Sequence, residues 1–283
     1  MKEILIALAC FAVISGILGV ILAIASKVFA VHTDERIEKI TECLPGANCG
    51  GCGYTGCEAL AKAIVEGKAP VNACNSATDE ALAEIGKIMG VEAKHSKRYR
   101  AQVMCSGTHD LAKKKYIYKG IADCAAANKL AGGDKLCPNG CIGLGTCKAA
   151  CKFDAIQIIN GVAAVDYDKC RACGACVAAC PKGIIKLIPY DAKHWVGCSS
   201  TDKGPVTRSY CDIGCIGCKM CEKKCPTGAI KVTDFVAEIN YDICTGCGEC
   251  EKVCPRKIIW SDNSQSDEGL VRVKQGNEAD SAS

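Results

Sequence analysis

Hydrophobic positions follow two different patterns along this chain. Residues 4–25, ILIALACFAVISGILGVILAIA, carry no charge, and at the helical rise such a run spans about 33 Å, the thickness of a bilayer core. The pattern predicts one transmembrane helix over residues 1–27. A cleaved signal peptide fits less well, because its apolar region runs to about 7–15 residues and Lys2 is balanced by Glu3. Lys27, Arg36 and Lys39 follow the run, a bias that places the bulk of the chain on the cytoplasmic side of a cell membrane, inner where there are two. Ala12, Ser15, Gly16, Gly19 and Ala23 recur at spacings of three and four, which would let a second helix approach closely.

Beyond residue 27 the apolar pattern is short-ranged. Glu58 to Glu66 reads as a brief helix that Gly67 and Pro70 end. IQIINGVAAV, Ile156–Val165, alternates around Asn160-Gly161, a strong hairpin signal. AIKVTDFVAEI, Ala229–Ile239, reads as two short strands around a turn. From Ser261 onward the chain is polar without periodicity, as expected of a flexible tail.

Composition changes this picture in one respect. Of the 49% hydrophobic residues, 26 are cysteine, and aromatics are only 5%, so a large continuous core of bulky side chains is excluded. The net charge of +4 is too small to argue for nucleic acid. Lys94, Lys97, Arg98, Arg100, Lys113, Lys114, Lys115 and Lys119 concentrate in one segment, which reads as a solvated face or, more sharply, as a docking surface for an acidic protein.

The cysteines repeat. CRACGACVAACP (Cys170–Pro181), CIGCKMCEKKCP (Cys215–Pro226) and CTGCGECEKVCP (Cys244–Pro255) share one form, the bacterial ferredoxin run in which three thiolates hold one [4Fe–4S] cluster and the fourth reaches the other of the pair. Zinc sites use pairs separated by longer loops, or mixed Cys and His. The crossing rule gives Cys215, Cys218, Cys221 and Cys254 for one cluster and Cys225, Cys244, Cys247 and Cys250 for the next. CPNGCIGLGTCKAAC, Cys137–Cys151, is the partner of the run at Cys170, with Cys137, Cys141, Cys147 and Cys180 expected on one cluster and Cys151, Cys170, Cys173 and Cys176 on the other. It departs from the pattern by wider spacing and by Lys152 in place of proline.

A fifth set, Cys49, Cys52, Cys57 and Cys74, is interleaved with Gly50, Gly51, Gly53 and Gly56, where bare backbone can wrap an anionic cluster. Gly51, Gly53 and Gly56 also spell a dinucleotide fingerprint, but no strand precedes them. His32, His95, His109 and His194 match no ligand spacing, and no nucleophile constellation is present. Cys10 and Cys43 are left without a partner set. QVMCSGT (Gln102–Thr108) and WVGCSST (Trp195–Thr201) look like copies of one element, each followed by a further cysteine. Cys105, Cys124, Cys198 and Cys211 therefore read as buried structural thiols or as a sixth cluster site.

The order of an apolar helix, LPGANCGGCGYTGC with a later Cys74, and then ferredoxin runs resembles the B subunit of the Rnf complex, in the long polyferredoxin form of anaerobic bacteria, over nearly the whole chain. The resemblance implies a subunit, inactive alone, of a membrane-bound, ion-translocating ferredoxin:NAD+ oxidoreductase. It would take electrons from soluble ferredoxin and relay them to integral membrane subunits. A membrane system that keeps a cytoplasmic redox sensor reduced is the alternative. The expected fold is α+β: transmembrane helix 1–27, a mainly helical four-cysteine domain 28–92, a linker or additional element 93–133, a ferredoxin-like module 134–190, a connecting element 191–211, a second module 212–260 and the tail 261–283.

Overall fold

The computed structural model describes residues 2–28, 34–93 and 97–261. The expected tail beyond Ser261, together with His32, Lys94 and His95, lies outside the described residues.

Helix α1, Lys2–Val28, corrects the first expectation: among the described residues no helix is long and apolar enough to cross a membrane. The α+β reading keeps its cysteine domains and loses its transmembrane helix.

Three helices follow, α2 (Glu35–Cys43), α3 (Cys57–Val65) and α4 (Asp79–Met89). The Asp34 carboxylate accepts from the Arg36 amide at the start of α2, and the Thr78 hydroxyl accepts from the Ala81 amide at the start of α4, each satisfying an otherwise orphaned donor. Ile40 of α2, Leu60 and Ile64 of α3, and Leu82 and Ile85 of α4 are buried in one cluster.

The rest of the chain is two cysteine modules, each built on two-stranded antiparallel pairs. In the first, β1 (Tyr99–Val103) pairs with β4 (Ile185–Pro189), and β2 (Ile156–Ile159) pairs with β3 (Val162–Val165). In the second, β5 (His194–Val196) pairs with β8 (Ile259–Ser261), and β6 (Ile230–Thr233) pairs with β7 (Val236–Ile239). Both hairpins turn through two residues of positive φ, Asn160 and Gly161 at 45° and 73°, Asp234 and Phe235 at 48° and 63°, the geometry that matches strand twist. Short helices complete the chain: α5 (Cys124–Lys129), α6 (Thr146–Ala149), α7 (Ala175–Ala179), α8 (Gly204–Tyr210), α9 (Met220–Lys224) and α10 (Glu249–Lys252).

The segment 93–133, expected as a linker, contributes β1 and α5. Its basic residues are largely structural. Arg100 is 2% exposed; its guanidinium lies 3.7 Å from the Tyr167 ring centre and donates to the Ala192 carbonyl at 2.8 Å. Lys113 donates to the Ser209 carbonyl, Lys115 to the Ala131 carbonyl, and Lys114 pairs with Asp134 at 3.1 Å. These three lysines are exposed, with each ammonium group engaged by neighbouring chain.

Candidate functional site

Each ferredoxin run is bent by the same device. One residue in the left-handed region, Gly145, Gly174, Lys219 or Gly248, precedes α6, α7, α9 or α10. That reversal sets Cys147, Cys176, Cys221 and Cys250 in the first turn of their helices. The hairpin turns press against two of these loops. A Cβ at Gly217, whose φ is +64°, would lie 3.0 Å from the Phe235 backbone, and Gly143 stands in the same relation to Gly161. Only glycine meets both demands there.

The runs close around small cavities. Cys215, Cys218, Cys221 and Cys254 line one together with Val232, Ile258 and Ile259. Cys225, Cys244, Cys247 and Cys250 line another. Its wall includes His194, whose Nε2 is 3.0 Å from the Glu251 carboxylate; this histidine packs rather than ligates. Cys151, Cys170 and Cys173 stand close enough to Cys176 to act on its thiol, which burial, the larger cause, pushes up to about 11. The Cys170 and Cys151 sulfurs accept from the amides of Ala101 and Ala155. In the helical domain Cys74 is pushed up by burial and then by Cys52 and Cys49, while Cys57 opens α3, its amide donating to the Asn48 side chain at 2.8 Å.

One expected set is rearranged. Cys141, Cys147 and Cys180 line a cavity with Cys124, not with Cys137. Cys137 lines a separate cavity beside Cys105, Cys198 and Cys211. Leu144 occupies the place that Cys218 holds in the equivalent run, and the thiol that stands with the other three is Cys124, in the first turn of α5, where the Thr146 hydroxyl accepts from the Cys124 amide at 2.6 Å and donates to Asp123 at 2.9 Å. The sequence signal was available: Cys137, Cys141, Cys147 and Cys151 recur at one constant offset as Cys211, Cys215, Cys221 and Cys225, and Leu144 is the interruption.

These surroundings suit a cluster better than a single ion. Among the described residues no three His, Cys, Asp or Glu side chains converge as the ligands of one ion would. Tetrahedral zinc at about 2.3 Å would draw its thiolates to within about 4 Å of one another. Here the thiols ring apolar cavities instead. Burial pushes Cys141 up to about 12, Cys147 to about 11, Cys221 to about 12 and Cys250 to about 11, so in the metal-free chain these thiols hold their protons at neutral pH and loading must release them.

The four-cysteine domain docks on the first module beside one of these sets. Lys152 donates to the carbonyls of Ala47 and Asn48 at 2.8 and 3.0 Å, and the Ser76 hydroxyl donates to the Arg171 carbonyl at 3.1 Å. A Cβ at Gly51 would fall well inside contact with the Cys173 carbonyl.

Comparison with known proteins agrees with this arrangement. Residues 44–76 match the family described as a putative Fe-S cluster, 163–186 a 4Fe-4S binding domain and 214–259 a 4Fe-4S dicluster domain. The chain is 44% identical to the B subunit of the Na(+)-translocating ferredoxin:NAD(+) oxidoreductase complex of Acetobacterium woodii, covering 86% of this chain and 74% of that protein. It is 44% identical to the B subunit of the ion-translocating oxidoreductase complex of Methanosarcina acetivorans, covering 82% and 90%. It is 37% identical to the B subunit of the proton-translocating ferredoxin:NAD(+) oxidoreductase complex of Clostridium ljungdahlii, covering 86% and 87%.

Proposed function

The chain belongs to the B-subunit family of ion-translocating (Rnf-type) oxidoreductase complexes, and on that premise we propose how its residues serve electron transfer from reduced ferredoxin toward NAD+. Five thiol sets hold [4Fe–4S] clusters: Cys49, Cys52, Cys57 and Cys74; Cys124, Cys141, Cys147 and Cys180; Cys151, Cys170, Cys173 and Cys176; Cys215, Cys218, Cys221 and Cys254; and Cys225, Cys244, Cys247 and Cys250. When bound, each cluster supplies a one-electron relay whose potential is tuned by exposure and by hydrogen bonds to sulfur. The protein supplies the thiolates, the dry cavities around them and the amides of Ala101 and Ala155 aimed at two sulfurs.

The observation that carries the reading is the contact between sets at one end and the exposure of thiols at the other. Cys49 lies near enough to Cys173 to act on its thiol, after burial, the larger effect, so the four-cysteine domain adjoins the first module through a ligand of each. Cys218 and Cys247 of the second module are exposed, among exposed Lys219, Lys223, Lys224 and Lys252. That cationic end receives an acidic ferredoxin, and the four-cysteine domain faces integral membrane subunits on the cytoplasmic side. Coupling of this transfer to ion movement belongs to the assembled complex.

The test is reduction of the anaerobically purified complex by reduced ferredoxin, followed by EPR at short times. Signals of the second module appear first in the expected result, and NAD+ reduction follows. Signals that arise from NADH but never from ferredoxin would refute the assignment of donor.

A further inference from the structure

We propose that Cys105, Cys137, Cys198 and Cys211 form a sixth four-thiolate site, holding a [4Fe–4S] cluster between the two modules with two ligands from each. The inference deepens the function just given, since it takes the neighbouring thiol sets to be cluster ligands.

All four thiols line a single cavity, as do the four thiols of each set in the second module. Its wall is pared to backbone beside each sulfur it flanks. A Cβ at Gly107 would lie 3.5 Å from the Cys211 sulfur and 3.8 Å from the Cys105 sulfur, one at Gly140 3.6 Å from that of Cys137, and one at Gly214 3.6 Å from that of Cys211.

The four positions are two pairs of equivalents. Cys105 and Cys198 follow the ends of β1 and β5 by the same step, and Cys137 and Cys211 precede Cys141 and Cys215 by the same step. The Cys141 amide donates to the Cys105 sulfur at 3.4 Å, and the Cys215 amide donates to the Cys198 sulfur at 3.3 Å. Each bridging sulfur therefore touches the backbone of a ligand of the adjacent set. The modules meet here: the Lys113 amide donates to the Tyr210 carbonyl and the Asp212 amide to the Leu111 carbonyl, both at 2.8 Å.

Charge gives an independent argument. Lys135 lines the cavity, is 3% exposed, and donates to the carbonyls of Gly107 and Gly161 at 2.6 and 2.9 Å. Among the described residues no carboxylate forms an ion pair with it, and a lysine this buried is ordinarily paired. Arg256 donates to the Cys211 carbonyl at 2.8 Å. Four thiolates around a cluster make a net anion, which Lys135 faces from the cavity wall, while Arg256 lies along the neighbouring cavity of the Cys215 set. With this set assigned, only Cys10 and Cys43 of the 26 cysteines belong to no set.

Iron, acid-labile sulfide and zinc per chain, measured on the anaerobically purified complex, test the proposal directly. Six sets give about 24 iron and 24 sulfide attributable to this chain. Cys105→Ser with Cys198→Ser should remove about four of each, whereas Cys43→Ser should remove none. About 20 iron unchanged by the double variant overturns the sixth site and leaves the five-cluster reading standing. About 20 iron with one zinc that the double variant removes also overturns a cluster there, while zinc without sulfide throughout overturns both. Where the double variant does not accumulate, Lys135→Met decides: loss of the cation should shift one reduction potential downward and leave the remainder in place, and an unchanged set of potentials counts against the site.

Discussion

Ile40, Leu60, Ile64, Leu82 and Ile85 of the four-cysteine domain are each at most 1% exposed and meet across three helices. The second module buries Val196, Ile230, Val236, Ala237, Ile258 and Ile259, but its core cluster is completed by the thiols of Cys215 and Cys221. One region contains a hydrocarbon core of isoleucine, leucine and alanine in which Cys74 is the one buried cysteine, and the other a smaller core in which two of eight buried residues are cysteine. The difference teaches what iron does in each. Metal is an addition to a fold that capped helices and buried isoleucines can sustain, or it is the centre without which two-residue turns and three- to five-residue strands have little to pack on.

Iron extraction is the most severe way to break the comparison. Anaerobic chelation should abolish amide protection throughout β6, β7 and α9, while the amides of α3 and α4 keep most of theirs, as read by hydrogen exchange. Retained protection in β6 and β7 would mean that the module folds without its metal. A reciprocal pair of substitutions sharpens the contrast. Leu82→Ala should destabilise the helical domain by about 2–5 kcal/mol with the iron of both modules unchanged, and Cys221→Ala should remove about four iron with the melting of the helical domain unmoved. The smallest effect is electrostatic. Lys219, Lys223 and Lys224 changed to Glu should slow ferredoxin-driven reduction several-fold at low ionic strength and little at high salt. The same reversal at Lys113, Lys114 and Lys115, whose ammonium groups are already engaged, should alter stability more than rate.

Much of this was legible in the cysteine spacing, because a run that must wrap one cubane fixes its own intervals. The Asn160-Gly161 turn was legible for a similar reason, since few dipeptides accept two positive φ values. The helix expected over Glu58–Glu66 is α3, Cys57–Val65. Cys124 was not assigned to the Cys141 set, because a ligand drawn from a distant helix leaves no local interval, and only the interruption at Leu144 announces the need for it. Strand β1 was missed because Arg100 and Gln102 look like surface residues. Both are buried through partners on the Cys170 run's flank: Arg100 over the Tyr167 ring, and Gln102 accepting from the Tyr167 hydroxyl at 2.5 Å. The apolar run at 4–25 was read as membrane-spanning from its length, its lack of charge and the basic residues behind it, whereas among the described residues no helix is long and apolar enough to cross a membrane.

Lys152, which breaks the cysteine-proline rule, gains a meaning from where its ammonium goes. A proline there could end the run as it does at Pro181, Pro226 and Pro255, but it would offer nothing to the carbonyls of Ala47 and Asn48. The position works as a latch. Swinging the four-cysteine domain away would break both hydrogen bonds and pull Gly51 off Cys173, so the residue that departs from the cysteine-proline rule is the one that fastens the first module to its neighbour.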